Sequence, residues 1–252
     1  MSAEAGWPEG VGKRTLATVD STNAEAFRLA PHQAGPCWIL AGEQTAGRGR
    51  RARAWSSPRG NFHATLLLYP TESAERVALR SFAASLALRD AFVALTGLTA
   101  SFGLKWPNDV LLNGGKVAGI LLESAGMGQG VRHLAIGIGV NLIAAPDMTQ
   151  VEMGAVSPVS LLSETGQRVT PEAFLDMLAP AYARWEDIFT TQGFGPLRVE
   201  WLAHAARLGE VIRARTGTET REGVFQTIDE TGALILRQSQ GPVAIPAAEV
   251  FF

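Results

Sequence analysis

The chain of 252 residues has a single cysteine, Cys37, so it forms no intrachain disulfide and no cysteine-built metal cluster. Cys37 adjoins the apolar run Trp38-Ile39-Leu40-Ala41, a setting that suits a buried packing thiol better than a nucleophile. No uninterrupted apolar run reaches the roughly 20 residues that a membrane-crossing helix needs. The N-terminal stretch MSAEAGWPEG has no basic region followed by an apolar one, so no secretory signal is read there. A soluble, cytoplasmic protein with no membrane partner is the expectation. Excess charge of one sign is also missing. With 22 Lys+Arg against 24 Asp+Glu the net charge is −2, which speaks against a general nucleic-acid binder. The four histidines, His32, His63, His133 and His204, show no metal-ligand spacing with one another or with Cys37, so no protein ligand for a metal is assigned. There is no G-x-S-x-G elbow, no internal repeat and no low-complexity segment.

A hydrophobic fraction of 46% and a charged fraction of 18% predict a folded protein with ample core, and the length allows one large domain with a small appendage. The basic residues are distributed unevenly. The segment EQTAGRGRRARAWSSPRGN, residues 43–61, holds Arg48, Arg50, Arg51, Arg53 and Arg59, over a fifth of all basic groups. Guanidinium forks bind phosphate or carboxylate oxygens in pairs, and glycine lets backbone N–H groups approach the same anion. A solvated charged loop is the competing account of such a run. Glycines and mutually repelling arginines also predict a loop that is mobile without ligand and orders over it.

Periodicity predicts a strand at 15–19, then a helix from the Asp20-Ser21-Thr22-Asn23 segment to Ala30, with Thr22 and Glu25 at capping-box spacing. Strands follow at 38–41 and 62–69, then a helical pattern from Ser73 to about Leu95 without Gly or Pro. Short extended segments at 104–106, 110–112 and 117–123 are separated by Pro-Asn-Asp and Asn-Gly-Gly turn chemistry. Asn113-Gly114 is a hairpin signal. The strand at 131–142 contains Gly137 and Gly139, which mark close approach of a ligand or another backbone. A loop through Pro146 and Pro158 leads to helices at 171–191 and 196–206. Beyond Leu208 four short strand candidates, at 210–215, 223–228, 233–236 and 242–245, predict a small β-barrel.

Two nucleotide motifs fail on context. Gly47, Gly49 and Ala52 fit G-x-G-x-x-G/A, but residues 53–58 do not open an amphipathic helix. Gly115-Lys116 ends like a P-loop, but Val110 replaces its first glycine and Val117 its Ser/Thr. Lys105 lies in an otherwise apolar extended segment, on the face opposite Leu104 and Trp106 by alternation. Snorkelling to solvent is one account of it. The other is an ammonium held rigidly at a strand end, because Pro107 keeps Trp106 extended and Asn108-Asp109 turns tightly.

The combination of Ser21-Thr22-Asn23, QTAGRGR at 44–50, Trp55, KWPND at 105–109, GKVAGIL at 115–121 and IGIGVN at 136–141 resembles the biotin–protein ligases, in the family's order and spacing. Residues 223–236 are similar to the family's C-terminal barrel. The resemblance implies an α+β fold. A mixed β-sheet with flanking helices (the class II synthetase-like catalytic fold) would span 1–207, and a small SH3-like β-barrel 208–252. It implies two half-reactions: biotin's carboxylate attacks the α-phosphate of MgATP to give biotinyl-5′-AMP, and a carrier lysine then attacks that anhydride. Joining a carboxylate to a polyphosphate requires their charges to be neutralised, which cationic side chains and Mg²⁺ held mainly through ATP can supply.

By resemblance, Ser21, Thr22, Asn23 and Gln44 bind the ureido ring. Arg48, Gly49, Arg50 and Lys105 hold the carboxylate and phosphate region, with Lys105, Arg48 and Arg50 in the catalytic roles. Trp55 and Gly119 complete the biotin site, with Ile120, Leu121, Gly137, Ile138 and Gly139 as further walls. Arg53, Asn108 and Asn141 join Arg48, Arg50 and Lys105 at the nucleotide. Helix capping accounts for Thr22 as well, and turn or strand-end roles for Asp109 and Glu123 as well as magnesium ligation. The implied partner is a biotin carboxyl carrier domain, for a monomer or homodimer. Two departures matter: Ala52 stands where some members have glycine, which stiffens the loop, and no winged helix precedes residue 15, so DNA is not an expected partner. A lipoate or octanoate ligase of the same superfamily is the nearest rival. An arginine-rich RNA-binding module is a more distant one.

Overall fold

The computed structural model describes residues 6–127, 130–152, 154–217 and 219–252. Residues 1–5, the start of the segment searched for a signal, lie outside that range. The chain runs β1 Gly12–Leu16, α1 Thr22–Leu29, β2 Cys37–Ala41, β3 Phe62–Leu68, α2 Ala74–Ala78, α3 Arg80–Thr96, β4 Phe102–Lys105, β5 Asp109–Leu112, β6 Gly115–Met127 and β7 Gly130–Val140. It continues as α4 Leu161–Thr165, α5 Pro171–Gln192, α6 Phe194–Ala203, β8 Val211–Arg215, β9 Thr220–Ile228, β10 Leu234–Gln238, β11 Gly241–Ile245 and β12 Glu249–Phe251.

The first seven strands form one sheet in the order β1-β2-β3-β7-β6-β5-β4. β1 and β2 are parallel and every other neighbouring pair is antiparallel, so the sheet is mixed, as expected. Strand alternation sorts its two faces. Trp38 and Leu40, Phe62, Ala64 and Leu66, and Ile136, Ile138 and Val140 turn to one side, where α3, α5 and α6 cover them in the main core. Phe174 of α5 meets Phe62 and Phe92 edge-on or tilted at 5.1 and 5.2 Å, and Trp201 of α6 meets Phe82 at 5.5 Å. The other face carries Cys37, Ile39, Leu67 and Ala135, which pack with Ala26 and Ala30 from the α1 segment. Helix α1 covers only that end of the sheet.

Cys37 is a packing thiol, buried, with its pKa pushed up by that burial. Helix α5 begins at Thr170, whose hydroxyl accepts the Ala173 N–H, with Pro171 in the first turn, as its sequence predicts. Asn113 and Gly114 both take positive φ, 51° and 83°, as a tight β5–β6 hairpin requires.

Several elements differ from expectation. β1 starts three residues earlier, and Val19 makes only an isolated bridge to Gln44. The 73–95 helix is broken at Leu79, where i→i+3 bonds (Leu79 N–H to Arg76 O, Phe82 N–H to Leu79 O) tighten the chain. The break adjoins buried Arg80, which is paired with Glu72 and Glu186. The β4–β5 turn holds 106–108, so Asp109 opens a strand instead of closing a turn. The short α4 lies in what reads as loop.

The C-terminal strands make a five-stranded antiparallel sheet, order β11-β10-β9-β8-β12, with the three-residue β12 added to the four strands expected. The segment between α6 and β8 bonds to β4 through Leu104 with His204 and Ala206, both 2.8 Å, and the Trp106 indole N–H donates to Gly232 O between β9 and β10. No helix among the described residues is long and apolar enough to cross a membrane.

Candidate active site

Pairing register gathers residues that are far apart in sequence into two rows on the face that α1 leaves open. One row crosses five strands: Lys105 on β4 pairs with Asp109 on β5, Asp109 with Gly119 on β6, Gly119 with Gly139 on β7, and Gly139 with His63 on β3. Two residues along, Leu121, Gly137 and Thr65 form the second row. The middle of both rows is glycine, and that makes a trench. A Cβ on Gly139 would stand 2.5 Å from the Trp55 indole, and one on Gly137 would stand 2.4 Å from Asn23 Oδ1. A Cβ on Gly119 would stand 3.2 Å from the same indole. The strand glycines do mark close approach, and among the described residues the groups approaching are the chain's own Trp55 and Asn23.

One end of the trench is a hydrogen-bonded polar chain. Ser21 caps α1, its hydroxyl accepting from Ala24 N–H, so the cap lies one residue earlier than the Thr22–Glu25 spacing suggests. Thr22 is freed from capping because Gln44 reaches in from the strand-end loop. Gln44 Oε1 accepts the Thr22 N–H at 2.8 Å and its hydroxyl at 3.1 Å, while Gln44 Nε2 donates to Ser57. Asn23 lies across Gly137, with Oδ1 2.6 Å from Thr65 Oγ1 and Nδ2 donating to Glu123 Oε2 at 2.7 Å. Glu123 in turn pairs with Arg48 at 3.2 Å.

The other end is cationic. Asp109 stands between Lys116 at 2.6 Å and Lys105 at 3.6 Å. Lys105 is only 8% exposed, so it does not snorkel. Burial lowers its pKa, and Asp109 opposes that. Burial pushes the Asp109 carboxyl up, but the two ammonium groups outweigh it and the net shift is downward. Lys116 is less enclosed than Lys105, with its Nζ 5.5 Å from the Trp55 ring centroid. In the sequence it stands only within GKVAGIL and the failed P-loop match, with no role given, whereas its pairing with Asp109 makes it a further candidate site residue.

The arginine loop closes over this end as a narrow hairpin, with Gly49 N–H bonded to Arg53 O and Trp55 N–H to Gly47 O. Arg51 and Ala52 both have left-handed φ, 56° and 57°, so Ala52 occupies a conformation that glycine adopts more freely. The outer arginines face the C-terminal sheet: Arg51 and Arg53 pair with Glu249, Arg53 also with Glu152, and Arg215 with both carboxylates. Arg50 donates to Ala248 O. Burial lowers the Arg50 pKa, yet a guanidinium stays charged at neutral pH. These pairs offset the repulsion that predicts a mobile loop. Glu249→Gln is expected to speed tryptic cleavage at Arg51 and Arg53 several-fold in the free protein. Equal cleavage rates for the two proteins would count against the clasp.

The structure therefore brings together Ser21, Thr22, Asn23, Gln44, Arg48, Trp55 and Gly119 along the trench, with Lys105 at its end. Arg53 turns to the C-terminal sheet instead. Asn108 and Asn141 direct their amide N–H groups at backbone: Asn108 to Ile120 O, Asn141 to Val159 O. Asp109 and Glu123, the two candidate magnesium ligands, already engage lysines, an arginine and an amide. Among the described residues no three His, Cys, Asp or Glu side chains converge as a metal cage.

A polar cluster and a cationic cluster thus stand at the two ends of a glycine-floored trench, in a mixed-sheet domain bearing a small antiparallel one. Comparison with known proteins agrees. Residues 11–141 match the Biotin/lipoate A/B protein ligase family, and 208–252 the Biotin protein ligase C terminal domain. The chain is 60% identical to a biotin–[acetyl-CoA-carboxylase] ligase of Paracoccus denitrificans, over 94% of its own length and 99% of that protein's. It is 29% identical to the bifunctional ligase/repressor BirA of Escherichia coli, over 91% of this chain and 70% of that one. A biotin protein ligase from Aquifex aeolicus, solved with biotin and ATP, superposes with a TM-score of 0.80 at 25% identity, covering 95% and 97% of the two chains. The chain belongs to the biotin/lipoate A/B protein ligase family, among its biotin–protein ligases.

Proposed function

We propose that the trench binds biotin with its ureido ring at the Thr22–Asn23–Gln44 end and its carboxylate toward Lys105 and Lys116. The chain is an ATP-dependent ligase that converts biotin to biotinyl-5′-AMP and transfers the biotinyl group to a lysine of a biotin carboxyl carrier domain. Ser21 helps to frame the ring, Gly119 gives it access to the sheet, and Trp55 packs against the bound acid. In adenylation, a biotin carboxylate oxygen forms a bond to the α-phosphorus, and the bond to the β-phosphate oxygen breaks. Arg48, Arg50 and the two lysines neutralise the charge that builds there, with Gly49 shaping the hairpin turn that carries the two arginines. Magnesium, carried by the ATP phosphates, supplies further neutralisation. Asn108 and Asn141 border the nucleotide, and Arg53 steadies the loop through Glu152 and Glu249. In the second step the carrier's ε-amine attacks the acyl carbon, and AMP leaves.

The observation that carries this reading is the pair of adjacent register rows, one ending at Lys105 and Asp109 and the other passing under Asn23 at Gly137, which sets a cationic anchor at a fixed distance from a group of hydrogen-bonding side chains. The hydrogen-bonding end also disfavours the lipoate reading, because a dithiolane has no N–H to offer the acceptor oxygens of Thr22, Asn23 and Gln44. Residues 1–207 would carry both small ligands, and 208–252 would steady the arginine loop. The same reading expects a monomer or homodimer without DNA as partner. Biotin-dependent exchange of pyrophosphate into ATP tests it. Exchange with biotin and little with lipoate is expected, and folded protein that gives none with biotin would sink the reading.

A further inference from the structure

Thr65 is wholly buried on β3, between Ile39 on β2 and Gly137 on β7 in the second register row. A hydroxyl so placed has no water to bond and must find protein partners. It has two: Asn23 Oδ1 at 2.6 Å and Thr22 Oγ1 at 2.8 Å. Counting protons settles the direction. Asn23 Nδ2 points the other way, toward Leu121 O at 3.3 Å and Glu123 Oε2 at 2.7 Å, so Asn23 Oδ1 is left as an acceptor facing Thr65. The Thr65 proton goes to that oxygen. The single Thr22 proton then lies between Thr65 Oγ1 at 2.8 Å and Gln44 Oε1 at 3.1 Å, so Thr65 accepts from Thr22 and Thr22 Oγ1 keeps a lone pair.

We propose that Thr65, by bridging Asn23 and Thr22 from beneath, is a positioning residue that fixes this end of the trench as a set of hydrogen-bond acceptors, selecting acids whose ring presents N–H groups. The inference rests on the biotin reading above and names a residue outside every motif. Without its hydroxyl, the Asn23 amide loses the donor that holds Oδ1 in place, and the recognising oxygens lose their fixed polarity while the cationic end is untouched.

Thr65→Val keeps the shape and removes the donor. In biotin-dependent pyrophosphate exchange its KM for biotin should rise about tenfold, the loss of one hydrogen bond, with kcat and the KM for ATP changed by less than about twofold. Desthiobiotin, which keeps the urea and lacks the sulfur ring, should suffer the same penalty, and Thr65→Ser should restore both acids. An unshifted KM for biotin in folded Thr65→Val would overturn the proposal. So would a parallel rise in the KM for ATP, or failure of serine to restore. Should the valine variant not fold, Thr65→Cys, near in volume and a weak donor, is put through the same measurements and judged by the same outcomes. Wild-type protein that gives no exchange with biotin removes the underlying reading, whereas an active wild type with an indifferent Thr65→Val removes only the role of Thr65.

Discussion

Lys116→Ala and Lys105→Ala are each expected to slow biotin adenylation by about a hundredfold or more, the effect of losing one well-aimed donor at a transition state where charge builds up. Both ammonium groups stand at the same end of the trench on either side of Asp109, and a carboxylate approaching a polyphosphate there meets its own repulsion first. The two variants should differ in stability. Lys105 is enclosed on β4, so its removal leaves a hole and takes a partner from a buried carboxylate, whereas the Lys116 side chain keeps 29% of its surface in solvent. Single-turnover formation of the adenylate, read beside thermal unfolding, separates the two. A large rate loss is expected in both and a clear loss of melting temperature chiefly in Lys105→Ala. Either variant retaining a third or more of the wild-type rate would remove that lysine from the chemistry.

The second large effect belongs to the carboxylate between them. Asp109→Ala leaves two cations facing each other in a poorly hydrated place. Breaking such a buried pair from one side typically costs about 3–5 kcal/mol, or a fall of about 10 °C in melting temperature for a chain of this length. The pH dependence has a definite sign. The folded-state pKa of Asp109 lies below its ordinary value, near 3.9 for an unfolded aspartate. Its contribution is therefore complete above that value and lost as pH falls through the lower, folded one. Asp109→Asn should accordingly flatten the acid limb of the stability curve. It should also move the alkaline limb of adenylation to lower pH, because the carboxylate is what holds up a Lys105 pKa that burial lowers. Chemical denaturation across the acid range, and exchange rates across the alkaline range, test the two halves separately. A variant as stable as wild type at neutral pH would show that the ion triad adds little.

Much of this was legible in the sequence because local chemistry decides it. Asn113-Gly114 can make few things besides a tight hairpin, and Thr170-Pro171 few besides a helix start. The strands β2 and β3 fall within a residue of their expected bounds because hydrophobic runs and Pro70 delimit them. The identities at the trench were legible too, through motif order. What the sequence could not reveal was adjacency. β3 pairs with β7, whose partner residues lie some 70 positions along the chain, and no periodicity indicates that Thr65 faces Gly137 or His63 faces Gly139. Thr65 therefore looked like one more residue in a buried strand. The helix cap moved from Thr22 to Ser21 for a similar reason: a distant side chain, Gln44, satisfies Thr22. The five-residue α4 and three-residue β12 are too short for a period to register.

Neighbouring strands in a sheet stand about 4.8 Å apart, a spacing set by backbone geometry and indifferent to side chains. From Gly137 on β7, under Asn23, to Asp109 on β5 there are two such steps across the strands and two residues along them, so the grip on a ligand's head and the grip on its acid are about 12 Å apart by construction. The sheet thereby works as a graduated scale laid obliquely to its strands. An acid one methylene too short or too long arrives with the right groups at the wrong mark, and no repacking of side chains can move the marks.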